Sequence, residues 1–180
     1  MDTMQYTHLY RSPLGTITLA ADSEGLTGLW FEGQKYFAAT LDAQHEETML
    51  PIFEQTRRWL DNYFGGNDPG PTPPLPLQGS PFRLAVWEIL RQIPFGKTIT
   101  YGEIAREIAR RQGSKTVPAQ AVGGAVGHNP VSIIVPCHRV VGSNGSLTGY
   151  AGGIERKVRL LALEKADMTG LFAPQKGTAL

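Results

Sequence analysis

The sequence predicts a mixed α/β chain of the α+β type. An N-terminal antiparallel β-sheet with a helix precedes a mainly helical domain that contains a helix-turn-helix and a short strand. Three observations carry this expectation. Strand-like runs separated by turn residues fill the first third of the 180 residues. A Pro/Gly-rich break, GGNDPGPTPPLPLQG over residues 65–79, then interrupts the chain. Beyond it, helix start signals precede apolar residues at helical spacing.

In the first module, residues 1–79, Gln5–Tyr10, Thr16–Ala21 and Gly25–Phe31 read as strands. Ser12-Pro13-Leu14-Gly15 and Asp22-Ser23-Glu24-Gly25 supply the turns between them. A helix is expected over Pro51–Phe64, where Ile52, Phe53, Trp59, Leu60, Tyr63 and Phe64 recur at helical spacing. Residues 65–79 suit neither a helix nor a central strand, because proline lacks the N–H that both require. The module boundary is placed in that linker.

The second module, residues 80–180, opens with Ser80 as a cap and Pro81 at the first helical position. Phe82, Val86, Ile89, Leu90 and Ile93 line one face of this helix, and Pro94-Phe95-Gly96 ends it. Thr100-Tyr101-Gly102-Glu103 has capping-box form, and Ile104, Ala105, Ile108 and Ala109 make the buried face that follows. After the polar break Arg110–Val117, residues 118–126 form a second, small-residue helix, so the pair resembles a helix-turn-helix. Gly123-Gly124 weakens that helix by about 1 kcal/mol per glycine and serves close backbone approach, to a packed neighbour or to a ligand. Val131–Val135 reads as a short buried strand ended by Pro136. Cys137-His138-Arg139 stands at the bend, before Val140-Val141 and a Gly-rich loop over residues 142–153. The last helix is expected over Ile154–Ala166, with a frayed tail from Thr169 on.

Composition narrows the function classes. A hydrophobic fraction of 41% excludes wholesale disorder. No apolar run approaches the ~18 residues of a membrane span, and MDTMQYTHLY has no apolar signal core, so no membrane is expected and the default address is cytoplasmic. The single cysteine excludes an internal disulfide framework and a Cys-based zinc cluster. Net charge is +1, yet residues 1–79 hold 4 basic against 10 acidic side chains and residues 80–180 hold 13 against 6. Such asymmetry suggests a second module facing a polyanion, with a solvated basic face as the plainer reading.

Cys137 is the candidate nucleophile. A lone cysteine is ordinarily a small buried hydrophobe, but neighbouring His138 and Arg139 favour thiolate, the reactive form. Adjacent residues on a regular strand point to opposite faces. His138 therefore serves Cys137 only if Pro136 bends the chain or a water bridges the two. A histidine in that role needs an orienting partner. Glu164 on the last helix is a candidate, with a surface residue as the plainer alternative.

The string Asn129-Pro130-Val131-Ser132-Ile133-Ile134-Val135-Pro136-Cys137-His138-Arg139-Val140-Val141-Gly142 resembles the acceptor-site signature of the O6-alkylguanine-DNA alkyltransferases, also called methylated-DNA–protein-cysteine methyltransferases. Four ordered blocks extend the resemblance over about residues 80–165: Phe95–Tyr101, Ala121–Ala125, Thr148–Gly153 and Leu160–Glu164. The first module resembles the family's N-terminal domain only in its β-then-helix layout.

The resemblance implies DNA repair by stoichiometric transfer of an alkyl group from O6 of guanine (with O4 of thymine a further candidate) to Cys137. His138 matches the base that deprotonates the thiol through water, Glu164 the carboxylate that orients it, and Asn129 the brace of the turn. Tyr101 matches the tyrosine whose hydroxyl approaches N3 of guanine. Tyr150 and Ala151 match the loop over the flipped base, with the Ala151 N–H donating to O6. Carbonyls near Cys137 and Val140 would accept from the exocyclic amine. The implied partner is double-stranded DNA containing O6-alkylguanine, bound through the minor groove by a monomer that is nucleoid-associated when on DNA. No cofactor and no metal are implied.

Alkyl transfer from an ether-like oxygen to sulfur needs a thiolate and a donor to the leaving heterocycle. The product thioether has no easy hydrolysis route, so one protein repairs one lesion. The chain departs from the family pattern at Gln120, where an arginine finger normally fills the gap left by the flipped nucleotide. Glutamine lacks the planar cation that stacks and attracts phosphate. Ala105–Gln120 is longer than usual and carries Arg106, Arg110, Arg111 and Lys115, charges expected to compensate in part. Two other classes compete with transfer: a Cys/His hydrolase that turns over, and a DNA-binding regulator in which Cys137 is inert or a sensor.

Overall fold

The computed structural model describes residues 4–174. It divides into two compact units, Met1–Leu77 with Pro130–Ile134, and Gln78–Asn129 with Val135–Leu180. In the first unit β1 (Gln5–Ser12), β2 (Gly15–Ala21) and β3 (Leu26–Phe31) form an antiparallel meander. A fourth strand, β4 (His45–Glu47), lies parallel to β1, giving the order β3-β2-β1-β4. The sheet is thus mixed rather than wholly antiparallel. Three exposed polar residues show no alternation by which β4 stands out in the sequence.

The turns form as their residue types dictate. Ser12 Oγ accepts from the Leu14 N–H at 3.1 Å, and Asp22 Oδ1 accepts from the Glu24 and Gly25 N–H groups at 2.8 and 3.2 Å. Helix α1 (Pro51–Phe64) buries Phe53, Thr56, Trp59, Leu60 and Tyr63. Thr56 satisfies its hydroxyl on the Ile52 carbonyl at 2.8 Å, so a polar residue joins the buried face without an orphaned donor.

The strand expected over residues 131–135 is not formed. Leu29 and Val131 make a single parallel bridge, with the Leu29 N–H on the Pro130 carbonyl at 2.9 Å and the Ser132 N–H on the Leu29 carbonyl at 3.1 Å. The chain then turns through Ile133 at φ 70°. Prolines at 130 and 136 leave no room for a longer ladder, whatever the β-propensity between them.

In the second unit Ser80 caps α2 (Pro81–Arg91), its Oγ accepting from the Arg83 N–H at 3.2 Å. The capping box of α3 (Tyr101–Gln112) is complete. The Glu103 N–H donates to Thr100 Oγ1 at 3.1 Å and the Thr100 N–H to Glu103 Oε2 at 2.8 Å. Helix α4 (Ala119–Gly127) packs against α2 and α3, and Trp87 Nε1 of α2 donates to the Ala125 carbonyl at 2.8 Å. Two-residue strands β5 (Ile99–Thr100) and β6 (Val140–Val141) pair in parallel, which brings the start of α3 beside the residues that follow Cys137. Helix α5 (Ile154–Leu163) is shorter than expected, because Glu164 becomes its C-cap and Lys165 reverses the chain at φ 57°. The tail is not frayed as far as Phe172, which bridges to Ser146. Residues 175–180 of the tail lie outside the described residues.

Candidate active site

Cys137 is presented by a tight turn. Pro136 (φ −82°, ψ 65°) breaks the extended chain, and Cys137–Arg139 form one 3₁₀ turn. The Cys137 N–H donates to the Val135 carbonyl at 2.8 Å and the Arg139 N–H to the Pro136 carbonyl at 3.0 Å. Successive side chains on such a turn diverge by about 120° rather than alternating, so the objection raised by a regular strand does not apply. Asn129 Nδ2 donates to the Val135 carbonyl at 2.7 Å and braces the turn. Its side chain also bonds the thiol.

His138 and Glu164 meet deep in this unit, each side chain fully buried, with Nε2 of the histidine 2.5 Å from Oε2 of the carboxylate. Glu164 Oε1 accepts from Arg139 Nε at 2.8 Å and from the Gly96 N–H at 2.9 Å. Arg139 also donates to the Ile93 carbonyl at 2.7 Å and lies over the Phe95 ring at 5.8 Å. Burial opposes ionisation of Glu164, but the hydrogen bond from His138 and the bond and charge of Arg139 outweigh it and hold the carboxyl well below its usual range. Burial pushes the His138 pKa down, against the pull of Glu164. The histidine is therefore neutral, and an ionised, acceptor-only Glu164 requires the proton on Nε2. Nδ1 is left as the basic nitrogen.

Burial pushes the Cys137 thiol up, opposed by the Asn129 hydrogen bond and by the charge of Lys157. Lys157 is the residue the sequence reading missed. It is fully buried, and its Nζ donates to the carbonyls of Val140 (2.5 Å) and Thr148 (3.1 Å). Burial lowers its pKa to about 8 while Cys137 pulls the other way. A signal was present: position 157 is three residues from Ile154 and four from Leu161, on the apolar face of α5.

The other expected residues are placed as follows. Tyr101, at the start of α3, is 7% exposed and donates its hydroxyl to the Thr148 carbonyl at 3.2 Å. Burial and the neighbouring Cys137 both raise its pKa, keeping the phenol protonated. The Tyr150 ring meets His138 edge-on at 6.3 Å between centroids, and Ala151 follows it, half-buried. One lone pair of the Val140 carbonyl is taken by Lys157. Gln120 is exposed in the first turn of α4. A Cβ on Gly124 would meet nothing within 4 Å, so no packed neighbour accounts for that glycine. The compensation expected from Arg110 and Arg111 is reduced, since both are bonded to Glu107 at 2.6 and 3.1 Å and Arg111 also pairs with Glu88 at 3.4 Å.

The family model described as the DNA binding domain of 6-O-methylguanine DNA methyltransferase matches residues 81–166, and that described as its ribonuclease-like domain matches residues 5–78. The methylated-DNA–protein-cysteine methyltransferase of Haemophilus influenzae is 42% identical over 166 residues, covering 92% of this chain and 88% of that protein. Its counterpart from Methanosarcina acetivorans is 42% identical over 161 residues, covering 88% and 97%. Among solved structures, Mycobacterium tuberculosis OGT in complex with DNA superposes with a TM-score of 0.77 at 40% identity, covering 93% of this chain and 99% of that one. On these matches, the chain belongs to the 6-O-methylguanine DNA methyltransferase family.

Proposed function

We propose that this protein repairs alkylated DNA directly, Cys137 taking the alkyl group from O6 of a guanine in duplex DNA, once per molecule. The observation that carries this reading is a buried thiol beside a buried cation, Lys157, and next in sequence to a neutral base that Glu164 orients. His138 Nδ1 takes the thiol proton through water. Sγ attacks the alkyl carbon, an S–C bond forms, the C–O bond breaks, and its electron pair passes to the guanine. Tyr101 passes its phenolic proton to N3 as the base leaves as neutral guanine, and the proton taken from the thiol and held on His138 is relayed to the tyrosinate, restoring the phenol. Atoms and charge balance without a co-reactant, and the thioether has no leaving group for water to displace.

A thiol only 3% exposed is out of reach of a stacked base. The target nucleotide is extruded into the site at a cost of a few kcal/mol. Tyr150 and the Ala151 N–H close over it, and the second lone pair of the Val140 carbonyl accepts from the exocyclic amine. The exposed first turns of α4, with Ala119, Gln120, Ala121 and open space at Gly124, suit close approach to a minor groove. Gln120 fills the vacated stack. In this reading residues 80–180 bind DNA and accept the alkyl group, and the protein acts in the cytoplasm as a monomer, joining the nucleoid when on DNA. Incubation with a duplex carrying O6-methylguanine is expected to add one CH₂ equivalent per molecule, localised by mass spectrometry to the peptide containing Cys137. Repaired DNA in catalytic excess over protein, or an unlabelled protein, overturns the proposal.

A further inference from the structure

We infer that residues 170–172 are a positioning strap for the acceptor site, holding the loop that carries Thr148 and Tyr150 in its reactive arrangement. The inference rests on the alkyl-transfer reading above. Its starting point is the Thr148 carbonyl, which accepts from both the Tyr101 hydroxyl at 3.2 Å and Lys157 Nζ at 3.1 Å. The proton donor to the leaving base and the cation beside the thiol are thus both aimed by one backbone group. That group sits in an irregular Gly-rich loop, where neither a helix nor a strand holds it.

The tail supplies the missing support. The Leu147 N–H, next to Thr148, donates to the Phe172 carbonyl at 2.9 Å, and the Phe172 N–H donates to the Gly145 carbonyl at 3.0 Å. Ser146 and Phe172 form a parallel bridge. Leu147 is 2% exposed in a cluster with Val141 and Leu161, against which Leu171 of the tail packs. The loop and the tail touch backbone to backbone. Gly145 has φ +91°, and a Cβ there would lie 2.0 Å from the Gly170 carbonyl oxygen. The Phe172 ring, 46% exposed, contributes little beside its main-chain bonds. A group held by a few hydrogen bonds at one edge is held in register only while those bonds persist, and a displacement of about 1 Å at a reacting group can cost 10²-fold in rate.

Two full-length variants attack the same strap from opposite sides. Gly145→Ala inserts a methyl group against Gly170, and Phe172→Pro removes the N–H that the Gly145 carbonyl accepts. Each is reacted with free O6-benzylguanine under single-turnover conditions, and the limiting rate at saturation is read separately from the fraction of molecules that become alkylated. Each variant is expected to lower the limiting rate about tenfold or more, with the reacting fraction still near one per molecule and faster amide exchange at Leu147. The double variant is expected to be no slower than the slower single, because the strap can be detached only once. Wild-type limiting rates, a loss confined to the reacting fraction, or rate effects that multiply in the double variant overturn the inference. A wild-type protein left unmodified both by this base and by an O6-methylguanine duplex overturns the transfer reading instead.

Discussion

The two units treat the same residue types in opposite ways. On α1 of the first unit, Glu54 bonds Arg57 at 2.5 Å with the guanidinium about half exposed. In the second, Glu164 bonds Arg139 at 2.8 Å with the carboxylate fully buried against fully buried His138, and Lys157 of the same unit is fully buried as well. Among the described residues, every buried arginine, lysine, histidine and glutamate lies in the second unit. Exposed pairs contribute little to stability, whereas burying each ion costs several kcal/mol that the pairing only partly returns. The second unit therefore carries its buried charges at the expense of stability, and in the proposed function they serve the alkyl transfer. In the first unit, buried Thr7, Gln34 and Thr56 are polar but uncharged.

The largest break in that comparison is Cys137→Ala. Transfer is expected to vanish while duplex binding, measured by fluorescence anisotropy, is largely kept, since the phosphates are met elsewhere. Next, Glu164→Gln leaves Arg139 buried without its counter-ion and is expected to lower the unfolding free energy by about 3–5 kcal/mol and to slow transfer. Glu54→Gln, its exposed counterpart, is expected to leave the denaturation midpoint where it was. Because the Glu164 carboxyl is held below its ordinary 4.5 in the folded state, its contribution is present above that pH and is lost on acidification below it. Denaturant titrations between pH 6 and 3 should show that loss in the wild type and not in Glu164→Gln.

Lys157 sharpens the contrast from the alkaline side. Between its folded value of about 8 and its ordinary 10.5, the unfolded chain holds a proton that the folded chain has shed. Stability is therefore expected to rise with pH across that window, by up to about 3 kcal/mol relative to Lys157→Met, which keeps Cys137 and its own titration. Equal pH slopes for the two proteins would contradict the burial of a charged amine. Tyr101→Phe removes a donor without removing a charge. Transfer should slow by ~10²-fold, with stability changed by no more than about 1 kcal/mol. The smallest effect is expected at the exposed end of the same unit. Gln120→Arg should tighten binding to an O6-methylguanine duplex severalfold and steepen its salt dependence by about one phosphate contact. Its rate with free O6-benzylguanine should hold, because no nucleotide is flipped.

Much of this molecule was legible locally. The Pro51–Phe64 helix, the Ser80 cap and the Thr100–Glu103 capping box depend on residues within a turn or two of one another, so spacing alone identifies them. The motif around Cys137 was legible for a different reason: its string resembles a known family's signature, and the proposed reaction needs a thiol, a base and a phenol at particular positions. What only the tertiary structure decided depends on partners distant in the chain. Residues 131–135 read as a strand by composition, yet Leu29 of β3 and Val131 make only one bridge. Arg110 and Arg111 read as free cations until Glu107 and Glu88 are seen to hold them. Lys157 stands on an apolar face, but that it reaches the carbonyls of Val140 and Thr148, 17 and 9 residues away, follows from how α5 packs. The tail, with no periodicity of its own, is ordered by backbone bonds to a loop some 25 residues earlier. Caps and periodicity are written in neighbouring residues, whereas the partners of a buried charge or of an irregular backbone segment are set by packing.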